Sequence, residues 1–302
     1  MIKQLDILAP AKVNLSLSIS GKRFDGYHLL SSLVCFADFG DRIYLQKSNV
    51  DRFSIRGEYA SKLNQENNLV TKTYNLVKQQ AVIAKKYIGN TLICLQKNLP
   101  ISAGIGGGSS DAAATLVGLN KLWNLNLANE IIYQLAGKLG ADVPMCVYNI
   151  LENKNLWVTG IGEKITVLPR FPAFKLLLIN NLKAVSTELV FNKYTDEIKT
   201  TNRKYTANII EPTVNDLTNV TNLVAYLRRY GNDLIDIALE LEPSIQNVLN
   251  LLKNSGALFY SMSGSGASCF GIYSSDIDIC SISDKIKRDY PKYFVNSTTF
   301  IG

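Results

Sequence analysis

One histidine, His28, occurs in 302 residues, and the five cysteines form no CxxC pair. Those two shortages exclude a zinc site built from His and Cys ligands. Cys35, Cys94, Cys146, Cys269 and Cys280 sit instead in apolar contexts, which reads as reduced, buried thiols. Prolines number only 8 and charged residues 19%, which argues against long disordered tails. No apolar run approaches the roughly 18 residues that a membrane helix needs. The N-terminal "MIKQLDILAPAKVNLSLSIS" is too polar and too alternating for a signal peptide. A soluble, cytoplasmic protein without a membrane partner is therefore expected. No run of five Lys or Arg residues appears, although the net charge is +7 and the pI about 9.0. That balance suits either an anionic partner or a plain solvated basic surface.

What is present is enough for two packed domains: 302 residues with 47% hydrophobic content. Alternation in "VNLSLSIS" (13–20) and the β-branched and aromatic "DRIYLQKS" (41–48) predict strands. A helix is expected over 68–84, with Leu69, Tyr74, Leu76, Val77 and Val82 on its apolar side, then a strand over 90–98. Helices are expected from Ser109 or Ser110 onward and over 127–140, and a hairpin over 156–169. The apolar "FKLLLINN", preceded by two prolines, restarts the pattern, so a boundary is placed between domains 1–165 and 166–302. Beyond it come a strand (174–180), a helix (187–195), a polar insertion (196–211), helices near 216–229, 233–240 and 244–255, and a hairpin from "ALFYSM" and "SCFGIY". A helix and a strand close the chain. No 20–50-residue period repeats, so the expected architecture is two α+β sandwiches rather than a solenoid.

The most informative stretch is "LPISAGIGGGSSDAAATLVGLN" (99–120), in which Gly104, Gly106, Gly107 and Gly108 crowd the space between a strand and a helix. Glycines let backbone N–H groups converge, and a helix N-terminus adds partial positive charge, so the unit suits phosphate. It is not a Walker A loop, because no lysine follows Gly108, and not a G-x-G-x-x-G fingerprint, because the sixth position from Gly104 is Ser109. A structural turn does not need four glycines, each with its entropy cost. Asp111 would repel phosphate unless a cation intervenes: either Mg²⁺ is held by Ser110 and Asp111, or Asp111 caps the helix.

This stretch resembles the phosphate-binding motif of the GHMP kinases. "APAKVNLSLSISGKRFDGYHLL" (9–30), "GADVP" (140–144), "GIGE" (160–163), "NDL" (215–217) and "ALELEPSIQNVLNLLKNSGALFYSMSGSGASCFGIY" (238–273) extend the resemblance over nearly the whole chain. It implies a two-domain GHMP kinase fold, with an N-terminal α/β sandwich holding the strand–glycine loop–helix unit and a ferredoxin-like C-terminal α+β domain. It also implies ATP and Mg²⁺ as cofactors, with ATP bound by Pro100, Ile101, Ser102, Ala103, Gly104, Ile105, Gly106, Gly107, Gly108, Ser109 and Ser110. The AKVN and DGYH segments point to the member of this family that phosphorylates the 2-hydroxyl of 4-diphosphocytidyl-2-C-methyl-D-erythritol.

Taken alone, Lys12 reads as a solvated strand-end lysine and Asp142 as an N-cap. The resemblance makes them a catalytic pair, Asp142 as base for the substrate hydroxyl and Lys12 stabilising charge on the reacting oxygen or phosphoryl group. Asn14 shares the strand face of Lys12 and would bind substrate. Tyr27 would stack on the cytosine, His28 bond its edge, and Phe191, four residues after Thr187, cover the opposite face. Their plain readings are a surface or structural Tyr-His and an ordinary core phenylalanine. "MSGSGAS" (262–268) is either a hairpin turn or a substrate loop carrying Gly264, Ser265 and Gly266. The stretch "YNILENKNLWVTGIGE" and the polar 194–212 segment depart from the family pattern. A homoserine- or mevalonate-type GHMP kinase has no cytosine to justify DGYH. A nucleic-acid-binding protein lacks its Lys/Arg stripe with interleaved aromatics, so no nucleic-acid partner is expected. A monomer and a homodimer are both compatible with the sequence.

Overall fold

The computed structural model describes residues 4–86, 88–201, 204–206 and 210–301. The chain opens with two long strands, β1 (Gln4–Lys22) and β2 (His28–Ser48), each far longer than its sequence pattern, because polar residues at strand positions interrupt the apolar alternation. Next come β3 (Arg52–Arg56), α1 (Leu69–Ile83), β4 (Asn90–Gln96), α2 (Gly107–Leu122), α3 (Asn129–Leu139) and α4 (Val143–Glu152). β5 (Leu156–Gly160), β6 (Lys164–Val167), β7 (Phe174–Asn180) and α5 (Thr187–Thr200) follow. After a 3-10 turn at Asn215–Leu217 lie α6 (Val220–Tyr230), α7 (Ile235–Leu241) and α8 (Ile245–Asn254). The chain ends with β8 (Phe259–Met262), β9 (Cys269–Ser274), α9 (Ile279–Asp289), β10 (Phe294–Thr298) and β11 (Phe300–Ile301).

Two compact units are interlaced rather than divided by one cut at 165/166. The first holds the chain up to Lys12, Phe39–Ile101 and Gly106–Asn153; the second holds Val13–Asp38, Ser102–Ile105 and the chain from Lys154 on. A boundary read from a composition change cannot see that β1 and β2 run through both.

In the first unit β4 pairs antiparallel with β2 (Ile43 opposite Leu95) and parallel with β3 (Phe53 opposite Ile93). The parallel pair needs a crossover, and α1 supplies it. Asn68 caps α1 by accepting from the Val70 and Thr71 amides. Its buried stripe is Val70, Thr73, Val77 and Ala81, whereas Val82 is exposed, so the apolar face is rotated from the one expected. α2 packs against α1, α3 and α4, and Gly118 lets it settle onto Ile7 and Leu45 where a Cβ would collide.

In the second unit β5 pairs with the first half of β2 (Leu33 opposite Trp157) and with β6, the expected hairpin. A separate antiparallel sheet runs β10-β7-β9-β8. Strands one to four of that sheet thus lie in the order four, one, three, two, the ferredoxin-like arrangement. Its core joins Leu177, Ile179, Val190, Tyr194, Ile245 and Val248 among others. α5 continues to Thr200, through the start of the expected polar insertion, because Tyr194 and Thr195 are buried against the core. Residues 202, 203 and 207–209 of that insertion lie outside the described residues.

Candidate active site

In the first unit, β1 delivers Lys12 and the turn after α3 delivers Asp142. Lys12 Nζ donates to Asp142 Oδ2 at 2.7 Å, with the two side chains 8% and 41% exposed. Asp142 holds the N-cap position of α4, yet its side chain makes no capping bond, because its backbone is already helical (φ −84°, ψ −13°). The plain N-cap reading therefore fails, and the carboxylate belongs to Lys12. That lysine is buried rather than solvated, its stem running beside Gly106. Gly106 has φ +66°, and a Cβ there would stand 2.9 Å from Lys12 Cβ, so the position needs glycine twice over.

α2 begins at Gly107, not at Ser109 or Ser110, and Gly106 is its left-handed N-cap without a side-chain bond. The first-turn amides are left to the backbone opening, the arrangement that attracts anions. Ser109 and Gly108 are open to solvent to differing degrees, while Ser110 is fully buried and donates to the Pro10 carbonyl at 2.6 Å. Asp111 is only 2% exposed and lies inside the helix, its Oδ2 accepting from Lys97 Nζ at 2.8 Å. Asp111 thus neither caps α2 nor presents an oxygen to solvent. The Ser110 hydroxyl is committed to Pro10 and Asp111 Oδ2 to the Lys97 ammonium, so the pair does not present the Mg²⁺ site expected there, although Asp111 Oδ1 is buried without a hydrogen-bond partner. Among the described residues no cluster of three or more His, Cys, Asp or Glu could hold a metal ion.

Lys97 and its partners carry no sequence signal beyond a lysine before Asn-Leu-Pro. Lys97 also bonds Asp41, and all three side chains are almost wholly buried. Burial works against the Lys97 charge, but Asp111 and Asp41 outweigh it and hold its pKa above the usual lysine value. Burial pushes the Asp111 carboxyl up, with Lys97 opposing and Asp41 adding to the rise. Cys35, Cys146 and Cys269 are buried as expected, and burial raises the Cys146 thiol to about 12, but Cys94 is only half-buried and Cys280 is exposed, so the expectation fails for those two.

The second unit assembles the other predicted residues. His28 Nε2 lies 2.8 Å from Thr195 Oγ1, and its ring centroid 5.0 Å from that of Phe191. Thr195 Oγ1 donates to the Phe191 carbonyl and accepts from Lys22 Nζ. With its one hydrogen so used, the hydroxyl must accept from His28, which assigns the neutral ring as Nε2–H and leaves Nδ1 an acceptor. Burial, and secondarily Lys22, lowers the His28 pKa below its ordinary value. Tyr27 does not join this cluster: it lies on the 23–27 turn, 59% exposed. The ring beside Phe191 is His28.

The 262–268 loop is more than a hairpin turn. Ser263 Oγ accepts from the Asn14 amide and donates to the Gly104 carbonyl, each at 3.1 Å. The Ser268 amide donates to the Ala103 carbonyl at 3.1 Å. Gly104 (φ +74°) and Gly266 approach so closely that a Cβ on Gly104 would collide with the Gly266 carbonyl. Asn14 Nδ2 is used by Ser32 at 2.7 Å, while its Oδ1 faces Gly264. Ser265 meets Thr187 hydroxyl to hydroxyl at 2.8 Å. Asn232, which was not singled out, donates to both the Met262 and Gly264 carbonyls at 2.7 and 2.9 Å. The available signal was a second Asn-Asp-Leu at 232–234; the first, at 215–217, forms an outlying 3-10 turn with Asn215 exposed.

Two family models match the chain: GHMP kinases N terminal domain over residues 68–149, and GHMP kinases C terminal over 214–292. The chain is 41% identical over 288 residues to the 4-diphosphocytidyl-2-C-methyl-D-erythritol kinase of Brucella abortus biovar 1 (strain 9-941), covering 95% of this chain and 92% of that protein. It is 39% identical over 301 residues to the enzyme of the same name from Rhizobium meliloti (strain 1021), covering 99% and 96%. A crystal structure of 4-(cytidine 5'-diphospho)-2C-methyl-D-erythritol kinase superposes with TM-score 0.77 at 28% identity, over 99% of this chain and 100% of that one.

Proposed function

The chain belongs to the GHMP kinases, within the family of 4-diphosphocytidyl-2-C-methyl-D-erythritol kinases, and from that premise we propose how its residues divide the reaction. The protein is a small-molecule kinase that transfers the γ-phosphoryl group of ATP to the 2-hydroxyl of 4-diphosphocytidyl-2-C-methyl-D-erythritol. Asp142 accepts the hydroxyl proton as the oxygen attacks phosphorus, and ADP leaves from the opposite side. The Lys12 ammonium balances the charge that develops between those oxygens. Amides at the start of α2 receive the nucleotide phosphates, and the residues from Pro100 to Ser110 form their cradle. GHMP kinases use ATP, typically with Mg²⁺. The Ser110 hydroxyl and Asp111 Oδ2 are already committed to Pro10 and Lys97 and are not free for that ion.

Substrate choice rests on His28 and Phe191. His28 Nδ1 accepts from the exocyclic amino group of cytosine, and Phe191 offers an apolar ring to the base face. Tyr27, exposed on its turn, is free to cover the other face when substrate arrives. Asn14, Thr187 and the Gly264–Gly266 segment contact the remainder of the acceptor. Among the described residues no helix is long and apolar enough to cross a membrane.

The observation that carries the reading is the Lys12–Asp142 pair, in which a carboxylate at an N-cap forgoes the cap to meet a buried ammonium. The test is ADP release from ATP and Mg²⁺ with the cytidyl substrate, homoserine or mevalonate as acceptor. Turnover with the cytidyl substrate alone is expected. Preference for either of the others would overturn the His28–Phe191 assignment.

A further inference from the structure

Lys97, Asp41 and Asp111 touch neither base nor hydroxyl in the reading above, yet they form the most deeply buried set of charges in the first unit, with side chains 3%, 0% and 3% exposed. Holding a lysine and two carboxyl groups out of water is costly, because desolvation opposes the charged form of each. One carboxylate would neutralise Lys97. The second is used for connection.

Asp41 Oδ1 accepts from the Asn98 and Leu99 amides at 2.6 and 2.8 Å, fixing the chain where it enters the glycine loop. Asp111 Oδ2 attaches the same lysine to α2 one turn below its start. Lys97 Nζ itself lies 3.1 Å, and Asp41 Oδ2 3.5 Å, from where a Cβ on Gly107 would stand. The cluster therefore lies directly under the first residue of α2 and is tied to both ends of the loop, Leu99 and Gly107.

We propose that Lys97, Asp41 and Asp111 are positioning residues: a buried ionic clamp that holds the two ends of the glycine loop at the spacing the nucleotide phosphates require. The proposal rests on the assignment of ATP to that loop. The clamp touches no substrate atom; it acts through the Leu99 backbone and the Gly107 end of α2. Phosphate recognition by backbone amides has no rotamer freedom with which to recover from a shifted helix start, so loop geometry passes directly into nucleotide affinity.

The test compares Asp111→Ala, Asp111→Asn and the fully neutral combination Lys97→Met, Asp41→Asn, Asp111→Asn. Calorimetric titration with ATP, with and without Mg²⁺, is set beside KM for ATP and for the cytidyl substrate. Asp111→Ala should weaken ATP binding roughly ten-fold or more while leaving the cytidyl KM within about two-fold. Asp111→Asn, whose carbonyl still accepts from Lys97, should restore affinity; a metal ligand would not be so rescued. The loss should persist without Mg²⁺. The neutral combination keeps the amide acceptors and removes all three charges, so it should fold and still bind ATP weakly. Unchanged ATP affinity in Asp111→Ala and in the folded neutral combination would overturn the clamp. So would an equal loss for both substrates, which marks a general folding role. ATP affinity left unchanged by Gly106→Ala, which distorts the loop itself, would instead overturn the placement of ATP on the loop.

Discussion

Replacing Asp142 by Asn removes the proposed base and leaves almost everything else in place. The amide keeps an acceptor oxygen for Lys12, which donates at 2.7 Å in the native pair, so the ammonium retains a partner. The stability cost follows from exposure. With the Asp142 side chain 41% exposed, solvent screens the bridge, and such pairs contribute about 1 kcal/mol at most. For a chain of this size that is a fall in Tm of roughly 1–2 °C. Catalysis should respond on a different scale. General-base catalysis is worth about 10²–10⁴-fold, which corresponds to roughly 2.7–5.4 kcal/mol at 1.36 kcal/mol per decade. Coupled-assay kcat and differential scanning fluorimetry on the same preparation measure both. Expected is a kcat down by two to four decades (about 10²–10⁴-fold), KM for ATP little changed, and a melting curve nearly superimposable on wild type. A variant that keeps more than about a tenth of wild-type kcat would refute the assignment of Asp142 as base. Loss of activity together with a collapsed melting transition would show that the pair is structural.

Three further outcomes follow from the same geometry. His28 titrates below its ordinary value of 6.5, so between 6.5 and that lower folded value the unfolded chain binds the extra proton. Stability should therefore decline as pH falls through that window and level off below it, and the KM for the cytidyl substrate should rise only at pH below 6.5; a break at or above it would contradict Nδ1 as acceptor. Gly106→Ala combines a left-handed backbone with a Cβ 2.9 Å from Lys12, so it should cost about 1–3 kcal/mol and depress kcat, read by denaturant unfolding and initial rates. Asn232→Leu leaves the Met262 and Gly264 carbonyls without their donor, at about 1–3 kcal/mol for each buried group. It should raise the acceptor KM more than the ATP KM; the reverse order would detach Asn232 from the 262–268 loop.

Much of this protein is legible in one dimension. The glycine run, Lys12, Asp142 and the DGYH segment are local strings whose chemistry is restricted by residue type: at Gly106, a left-handed backbone coincides with a Lys12 stem that leaves no room for a Cβ. The strand–helix periodicity likewise located β4, α3, β5–β6, β7 and β8–β9, because one buried face imposes a period on sequence. Tertiary structure alone decided what each side chain does with its charge. An aspartate before a helix reads as a cap at Asp142 and in the helix as a cap or metal ligand at Asp111. The fold turned the first toward Lys12 and sank the second beside Lys97. It also chose the second Asn-Asp-Leu over the first and set His28, not Tyr27, against Phe191. Such choices depend on partners 14 to 167 positions away in sequence, as in Lys97–Asp111 and His28–Thr195. A residue's own neighbours specify which conformation it can adopt, but the free energy of a buried charge is decided by whatever the folded chain brings beside it.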